Sequence, residues 1–247
     1  MAIAVLFDLE DTLVQTPWID HQHVLEFRRK TKEKLIELGI PPSVLEGTER
    51  ATIMRNRASE YMEQNFSHAE AERFKLEMEK FLSQYELDSA KKSKLFPDTA
   101  PTLETLRKLR IKMGVITNTS AKAVSIIFQV HGLKKYFDVV VTRERVKKLK
   151  PDPEGILLAV KELSVKRFFM VGDLVLDVVA AKSAKGKVIL VNRYSEQFDS
   201  QDLFKSLPAE VLEKATENFG RSDLQPDYIV QSLSEVLTIV KTEMRKT

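Results

Sequence analysis

The sequence predicts an α/β protein in which a doubly wound parallel sheet carries an inserted α-helical domain. Three observations support this fold class. Short apolar runs alternate with helical patterns through most of the chain, as expected for a parallel sheet covered by helices. Several of these runs are apolar throughout, which is typical of strands buried on both faces. One long interval near the N-terminus contains only helix-forming sequence and interrupts the alternation.

The individual strands and helices follow from these patterns and from the breaks between them. The predicted strands are Ala2 to Asp8, Lys112 to Thr117, Phe137 to Thr142, Arg167 to Gly172, Lys187 to Asn192 and Tyr228 to Val230. The predicted helices between them are Ala100 to Leu109, Ala121 to His131, Pro153 to Lys161 and Leu176 to Ala184, with a further helical pattern from Leu203 to Phe219. Such an order predicts right-handed crossovers and a site at the carboxyl ends of the strands.

The interrupting interval, residues 16–93, is predicted to form a helical cap on a core made of residues 1–15 and 94–247. It is rich in Glu, Lys, Arg, Leu and Met, which favour helices. We expect hinges at 12–16 and 94–98, where the chain leaves and re-enters the core. Apolar residues at helical spacing predict the core of the cap: Phe66, Phe74, Met78 and Phe81.

Composition excludes several classes of protein. The 247 residues are 43% apolar and 30% charged, as in globular proteins of one or two domains. The net charge of +3 is too small to indicate a nucleic-acid partner. Since the chain has no Cys, thiolate chemistry and disulfides are excluded. No apolar stretch reaches the eighteen or so residues of a membrane helix, and Asp8 comes too early for a signal peptide. We therefore expect a cytoplasmic protein with no membrane partner.

Polar residues cluster where the predicted strands end. Because these ends share one edge of a parallel sheet, we expect the side chains to surround one crevice. Crowded carboxylates need a cation, and carboxylates with Lys and Thr suit Mg²⁺ and phosphoryl transfer. The four clusters are Asp8-Leu9-Glu10-Asp11-Thr12-Leu13, Thr117-Asn118, Lys150-Pro151-Asp152-Pro153, and Gly172-Asp173 with Asp177 one helical turn later.

These four clusters, in this order, resemble the motifs of the haloacid dehalogenase-like hydrolases. The resemblance runs from the first strand to about Asn192 and implies a Rossmann-like core with a cap. Members with a helical insertion after the first motif are mostly Mg²⁺-dependent phosphatases that work through an aspartyl-phosphate. The resemblance therefore implies hydrolysis of a small phosphorylated metabolite, and we expect a monomer in preference to an oligomer.

The resemblance also implies a role for each motif residue. Asp8 would be the nucleophile, and Lys150 would neutralise it and the transferred group. Thr117 and Asn118 would contact the substrate phosphate. The implied metal ligands are Asp8, the backbone carbonyl of Glu10, Asp173 and Asp177. Asp177 would bind the metal through a water molecule, or it would orient Lys150 instead.

Glu10 departs from the pattern of the family's phosphatases, which usually have Asp there as general acid and base. The pKa of a free Glu side chain is similar to that of Asp, but its carboxylate reaches about one ångström farther, enough to affect catalytic geometry. Alternatives are therefore a phosphomutase or a weakly catalytic or non-catalytic metal-binding interaction protein. A 2-haloacid dehalogenase is a further alternative, although the family's dehalogenases tend to have an aromatic residue at this position.

Overall fold

The computed structural model describes residues 3–17, 21–193, 207–213 and 224–245. Its strands are β1 (Ile3–Phe7), β2 (Val14–Gln15), β3 (Lys94–Leu95), β4 (Lys112–Ile116), β5 (Val139–Val141), β6 (Arg167–Gly172), β7 (Lys187–Val191) and β8 (Tyr228–Val230). Its helices are α1 (His21–Glu37), α2 (Ala51–Asn65), α3 (His68–Lys92), α4 (Thr99–Lys108), α5 (Ala121–His131), α6 (Glu154–Leu163), α7 (Val175–Ser183) and α8 (Leu233–Arg245).

A parallel sheet of six strands, in the order β5-β4-β1-β6-β7-β8, forms the centre of the fold. Successive β1 side chains point to opposite faces. Val5 and Phe7 pack with residues of α4, α5 and α8, whereas Ala4 and Leu6 pack with residues of α6 and α7. Helices on both faces of a parallel sheet confirm the predicted doubly wound fold.

The predicted strands and core helices agree with the structure to within about two residues. Helix α5 has its predicted bounds because the Ser120 side chain accepts a hydrogen bond from the Ala123 N–H and caps it. Of the predicted helical pattern from Leu203 to Phe219, residues 209–213 are helical, and the flanking parts lie outside the described residues. No helix in the described ranges is long and apolar enough to cross a membrane.

Helices α1, α2 and α3 have a hydrophobic core of their own, which includes Phe74 and Met78 as predicted. Phe81 is partly buried against this core. The prediction for Phe66 is wrong, since this side chain is 40% exposed. Phe66 follows the end of α2, where the chain turns, and its ring contacts Tyr61 edge-on.

The two connections between the helical insertion and the core form an antiparallel ribbon of two strands, β2 and β3. Val14 pairs with Leu95, and Gln15 pairs with Lys94. The ribbon lies where hinges are expected, but two-residue strands have too little periodicity to be predicted from sequence. The chain therefore leaves and re-enters the core at neighbouring positions.

Candidate active site

The strand-end residues meet around one cavity at the carboxyl edge of the sheet. Asp8 follows β1, Thr117 follows β4 and Asp173 follows β6, and these three strands are neighbours. Lys150 and Asn118 line the same cavity. The structure thus brings together residues that are far apart in the chain.

Lys150 is the buried cation at the base of the cavity. Its Nζ lies 2.8 Å from Asp8 Oδ1 and 2.6 Å from Asp177 Oδ1, and it donates a hydrogen bond to the Ile116 carbonyl at 2.9 Å. Burial alone lowers the pKa of Lys150, but the attraction of Asp177 and Asp8 is greater and raises it overall. The ammonium group is therefore charged and fully hydrogen-bonded.

Asp8, Asp173 and Asp177 form a compact carboxylate cluster. Each has an oxygen within 4.8 Å of the others'. Burial raises the pKa of Asp8 to about 8 despite the attraction of Lys150, and burial together with Asp8 raises the pKa of Asp173. One lysine does not neutralise three carboxylates, and oxygen donors at this spacing suit a small divalent cation. The donor set therefore fits Mg²⁺.

The Asp177 carboxylate is held on both sides by protein groups. Its Oδ1 accepts from Lys150 Nζ, and its Oδ2 accepts from the Leu174 N–H at 3.0 Å. A Cβ on Gly172 would lie 2.4 Å from Asp177 Cγ, so this position has no room for a side chain. These contacts favour the orientation of Lys150 over direct metal binding as the role of Asp177.

The Glu10 carboxylate contacts the residue expected to bind phosphate. Thr117 Oγ1 donates a hydrogen bond to Glu10 Oε2 at 2.8 Å, and it accepts one from the Thr119 N–H at 3.1 Å. Burial raises the pKa of Glu10, although the hydrogen bonds from Thr119 and Thr117 oppose this rise. A raised pKa suits a carboxyl group that donates a proton near neutral pH.

Two asparagines fix the backbone next to Lys150. Asn118 accepts from the Lys150 N–H at 3.1 Å and donates to the Lys150 carbonyl at 3.3 Å. Asn56, on α2 of the insertion, accepts from the Leu149 N–H at 3.0 Å and donates to its carbonyl at 2.9 Å. The Asn118 side chain is thus hydrogen-bonded to the loop that contains Lys150. The insertion contacts the same loop through Asn56.

A buried ion-pair network joins the insertion to the core. Arg143, which is 2% exposed, lies in the turn after β5. It donates two hydrogen bonds to Glu79 of α3, at 2.9 and 2.8 Å. It also donates two to Glu86 of the same helix, as well as one to the Asn118 carbonyl at 3.2 Å. Every side-chain nitrogen of Arg143 therefore has an acceptor.

The cavity has a volume of about 340 Å³ and two chemically different walls. The core wall includes Asp8, Glu10, Asn118, Lys150, Asp173 and Asp177. Thr117 is buried and contacts Glu10 without lining the cavity itself. The cap wall includes Val24, Phe27, Arg28, Arg50, Arg55, Leu82 and Glu86, the last of which is paired with Arg143. Sequence reasoning missed these arginines, because a charged residue in a charge-rich helical segment has the same pattern whether it faces solvent or a cavity.

Comparison with known proteins gives consistent matches. The model of the haloacid dehalogenase-like hydrolase family matches residues 5–191. The N-acetylmuramic acid 6-phosphate phosphatase of Pseudomonas putida is 30% identical over 190 residues, which cover 73% of this chain and 78% of that protein. Pyrophosphatase PpaX of Listeria welshimeri is 27% identical over 251 residues, which cover 97% and 96% of the two chains.

A solved structure shows the same fold. The crystal structure of a HAD phosphatase from Thermococcus onnurineus superposes with a TM-score of 0.54 at 25% identity. The match covers 97% of this chain and 98% of that one. With the family match over residues 5–191, the chain belongs to the haloacid dehalogenase-like hydrolases, the family that its four strand-end motifs resemble.

Proposed function

We propose that this enzyme is a phosphatase that hydrolyses small phosphomonoesters through a phosphorylated Asp8. One observation carries the proposal: the Asp8 carboxylate lines the cavity, 2.8 Å from Lys150 Nζ and close to the carboxylates of Asp173 and Asp177. The phosphatase names of the relatives from Pseudomonas putida and Listeria welshimeri support the same reaction class. The substrate of this chain is a small molecule, in keeping with the size of the cavity.

In the first step, an Asp8 oxygen attacks phosphorus and the bond from phosphorus to the ester oxygen breaks. Glu10 donates its proton to the departing oxygen, so an alcohol is released. Lys150 offsets negative charge on Asp8 and on the phosphoryl oxygens. Thr117 donates its hydrogen bond to a phosphoryl oxygen in place of Glu10, and this exchange frees the Glu10 carboxyl group.

In the second step, Glu10 takes a proton from a water molecule that attacks phosphorus. The bond from phosphorus to Asp8 breaks, so inorganic phosphate leaves and the Asp8 carboxylate is restored. Mg²⁺, held by Asp8 and Asp173, would supply positive charge that offsets charge on the phosphoryl group. The insertion, residues 16–93, serves as a cap that keeps bulk water from the cavity.

The first test is the Asp8→Asn variant with p-nitrophenyl phosphate and Mg²⁺. We expect a loss of turnover of at least about 10⁴-fold, since the amide is a poor nucleophile. Asp88→Asn, on the exposed face of α3, is the matched control and should retain wild-type turnover. Acid-quenched wild type should carry phosphate from a labelled substrate, and Asp8→Asn should not. Full activity in folded Asp8→Asn would contradict the mechanism.

The second test concerns the proton donor. Glu10→Gln retains an acceptor for the Thr117 hydroxyl but has no proton to donate to a leaving group. We expect the rate with an alkyl phosphate to fall by about 10²-fold or more and the rate with p-nitrophenyl phosphate to fall less, because nitrophenolate leaves without protonation. Equal losses on both substrates would assign Glu10 a role other than acid catalysis.

A further inference from the structure

The cap wall contains an arginine with one buried nitrogen that has no partner in the ranges that the structure describes. Arg55 lies on α2, and its Nη1 is buried with no hydrogen-bond acceptor among the described residues. Its side chain lines the cavity. Buried guanidinium groups are normally paired or hydrogen-bonded, because an uncompensated buried charge is unfavourable. A side chain that lines the cavity therefore has a buried donor without an acceptor among the described residues.

The neighbouring acidic side chains do not accept a hydrogen bond from Arg55 Nη1. Glu79 and Glu86 attract Arg55 at longer range, but their carboxylates accept hydrogen bonds from Arg143. Glu144 is bonded to the Ala121 N–H and to the Thr142 hydroxyl. Burial and the positive charge of Arg143 lower the pKa of Arg55 to about 10. Burial and Arg143 thus oppose the charge on Arg55, and no group in the described ranges accepts a hydrogen bond from its Nη1.

Two further arginines make the same wall positive. Arg28 of α1 and Arg50, which precedes α2, line the cavity with Arg55. Of the described carboxylates that line the cavity, Glu86 comes from the insertion and is bound by Arg143. The others belong to the core wall, where Lys150 binds two of them. A molecule with its phosphate at Asp8 would therefore direct its far end toward a cluster of guanidinium groups.

We propose that Arg55 binds a second anionic group of the substrate, a carboxylate or a phosphate, at the end remote from the transferred phosphoryl group. The substrate class is then a small phosphomonoester with two anionic ends. This inference rests on the proposed phosphatase function and adds to it the feature that selects the substrate. Arg28 and Arg50 add positive charge to the same subsite. Bidentate guanidinium contacts suit both kinds of anion.

The test compares three substrates of similar size with the same kind of leaving group. Ethyl phosphate has no second anion, phosphoglycolate has a carboxylate, and ethylene glycol bisphosphate has a second phosphate. All three have an alkyl leaving group that must be protonated to depart as an alcohol, so the demand on Glu10 is the same. We expect wild-type kcat/KM to favour one or both doubly anionic substrates over ethyl phosphate by about 10- to 100-fold, as for a charged hydrogen bond. The preferred one identifies the anion.

Variants then assign the preference to Arg55. Arg55→Gln should reduce the preference by about 10-fold or more, and Arg55→Lys should keep part of it through its charge. Arg57→Gln is the control, because Arg57 is on the same helix but contacts Glu46 and Glu210 outside this cavity. Its preference should match that of the wild type. No preference in the wild type, or an unchanged preference in folded Arg55→Gln, would overturn the inference.

Binding without turnover separates this inference from the proposed function. Calorimetry with Asp8→Asn should show tighter binding of a doubly anionic compound than of ethyl phosphate, and Arg55→Gln in that background should remove the difference. If the wild type hydrolyses no phosphomonoester, the proposed function fails, whereas the calorimetric difference still decides the role of Arg55. Equal affinities for the singly and doubly anionic compounds would overturn the inference.

Discussion

Lys150 and Arg55 are two cations that line one cavity from opposite walls, and they differ in their hydrogen-bond partners. Lys150 contacts two carboxylates and a backbone carbonyl. Arg55 has a buried nitrogen without an acceptor in the described part of the chain. The first cation is compensated by the protein itself, and the second is arranged for a ligand. The contrast indicates that the core wall is built for a fixed reaction and the cap wall for selection.

Replacement by Met tests this contrast, beginning with Lys150, where we expect the largest effect. Lys150→Met leaves Asp8 and Asp177 close together without their shared cation. Breaking a buried ion pair from one side costs about 3–5 kcal/mol, so the free energy of unfolding should fall by about that amount. Urea denaturation in metal-free buffer measures it. A loss below about 1 kcal/mol would mean that the pair is not a compensated unit.

The second prediction concerns the excess negative charge of the core wall. Mg²⁺ at about one hundred times its Kd should stabilise the wild type by about 2.7 kcal/mol, because a ligand that binds only the folded state stabilises it by an amount that grows with the logarithm of its concentration relative to Kd. Asp173→Asn removes a ligand and should lose most of this effect. Thermal unfolding with and without Mg²⁺ measures it, with Asp88→Asn as the control. If Mg²⁺ stabilised Asp173→Asn as much as Asp88→Asn, the cation would bind elsewhere.

We expect the smallest change in the free energy of unfolding at Arg55, and there the substitution should raise this free energy instead of lowering it. Arg55→Met removes a buried donor without an acceptor and keeps most of the side-chain volume. We expect the free energy of unfolding in phosphate-free buffer to rise by about 1 kcal/mol, or the Tm by about 2–4 °C for a chain of this size. Arg57→Met is the matched control and should not be stabilised. Destabilisation by Arg55→Met would show that Arg55 is compensated without a ligand.

The two walls also differ in how far the sequence predicts them. The core wall follows from sequence because each motif residue comes at the end of an apolar strand, and parallel strands bring their carboxyl ends together whatever the loops do. Asp8, Thr117 and Asp173 are predicted to be near one another on this ground alone. Their side-chain contacts are less predictable. The hydrogen bond from Thr117 to Glu10 joins two loops that are far apart in the chain, and no strand pattern indicates it.

The cap wall could not be predicted in the same way. Arg55 and Arg57 are two residues apart on α2, with the same composition around them, yet one faces the cavity and the other contacts Glu210. Their difference depends on how the insertion lies on the core, for which Asn56 and the Arg143 network provide the contacts. Such contacts join segments far apart in the chain, and local patterns do not encode them.

The short ribbon of β2 and β3 has a consequence for the evolution of new substrate preferences. Since Val14 pairs with Leu95, the whole insertion is equivalent to one closed loop on the core, with its ends held together. The entropy of closing a loop grows only slowly with its length, so helices can be lengthened, shortened or exchanged within it at little cost to the sheet. Substrate preference can therefore change through changes in the insertion, while the reacting groups of the core stay the same.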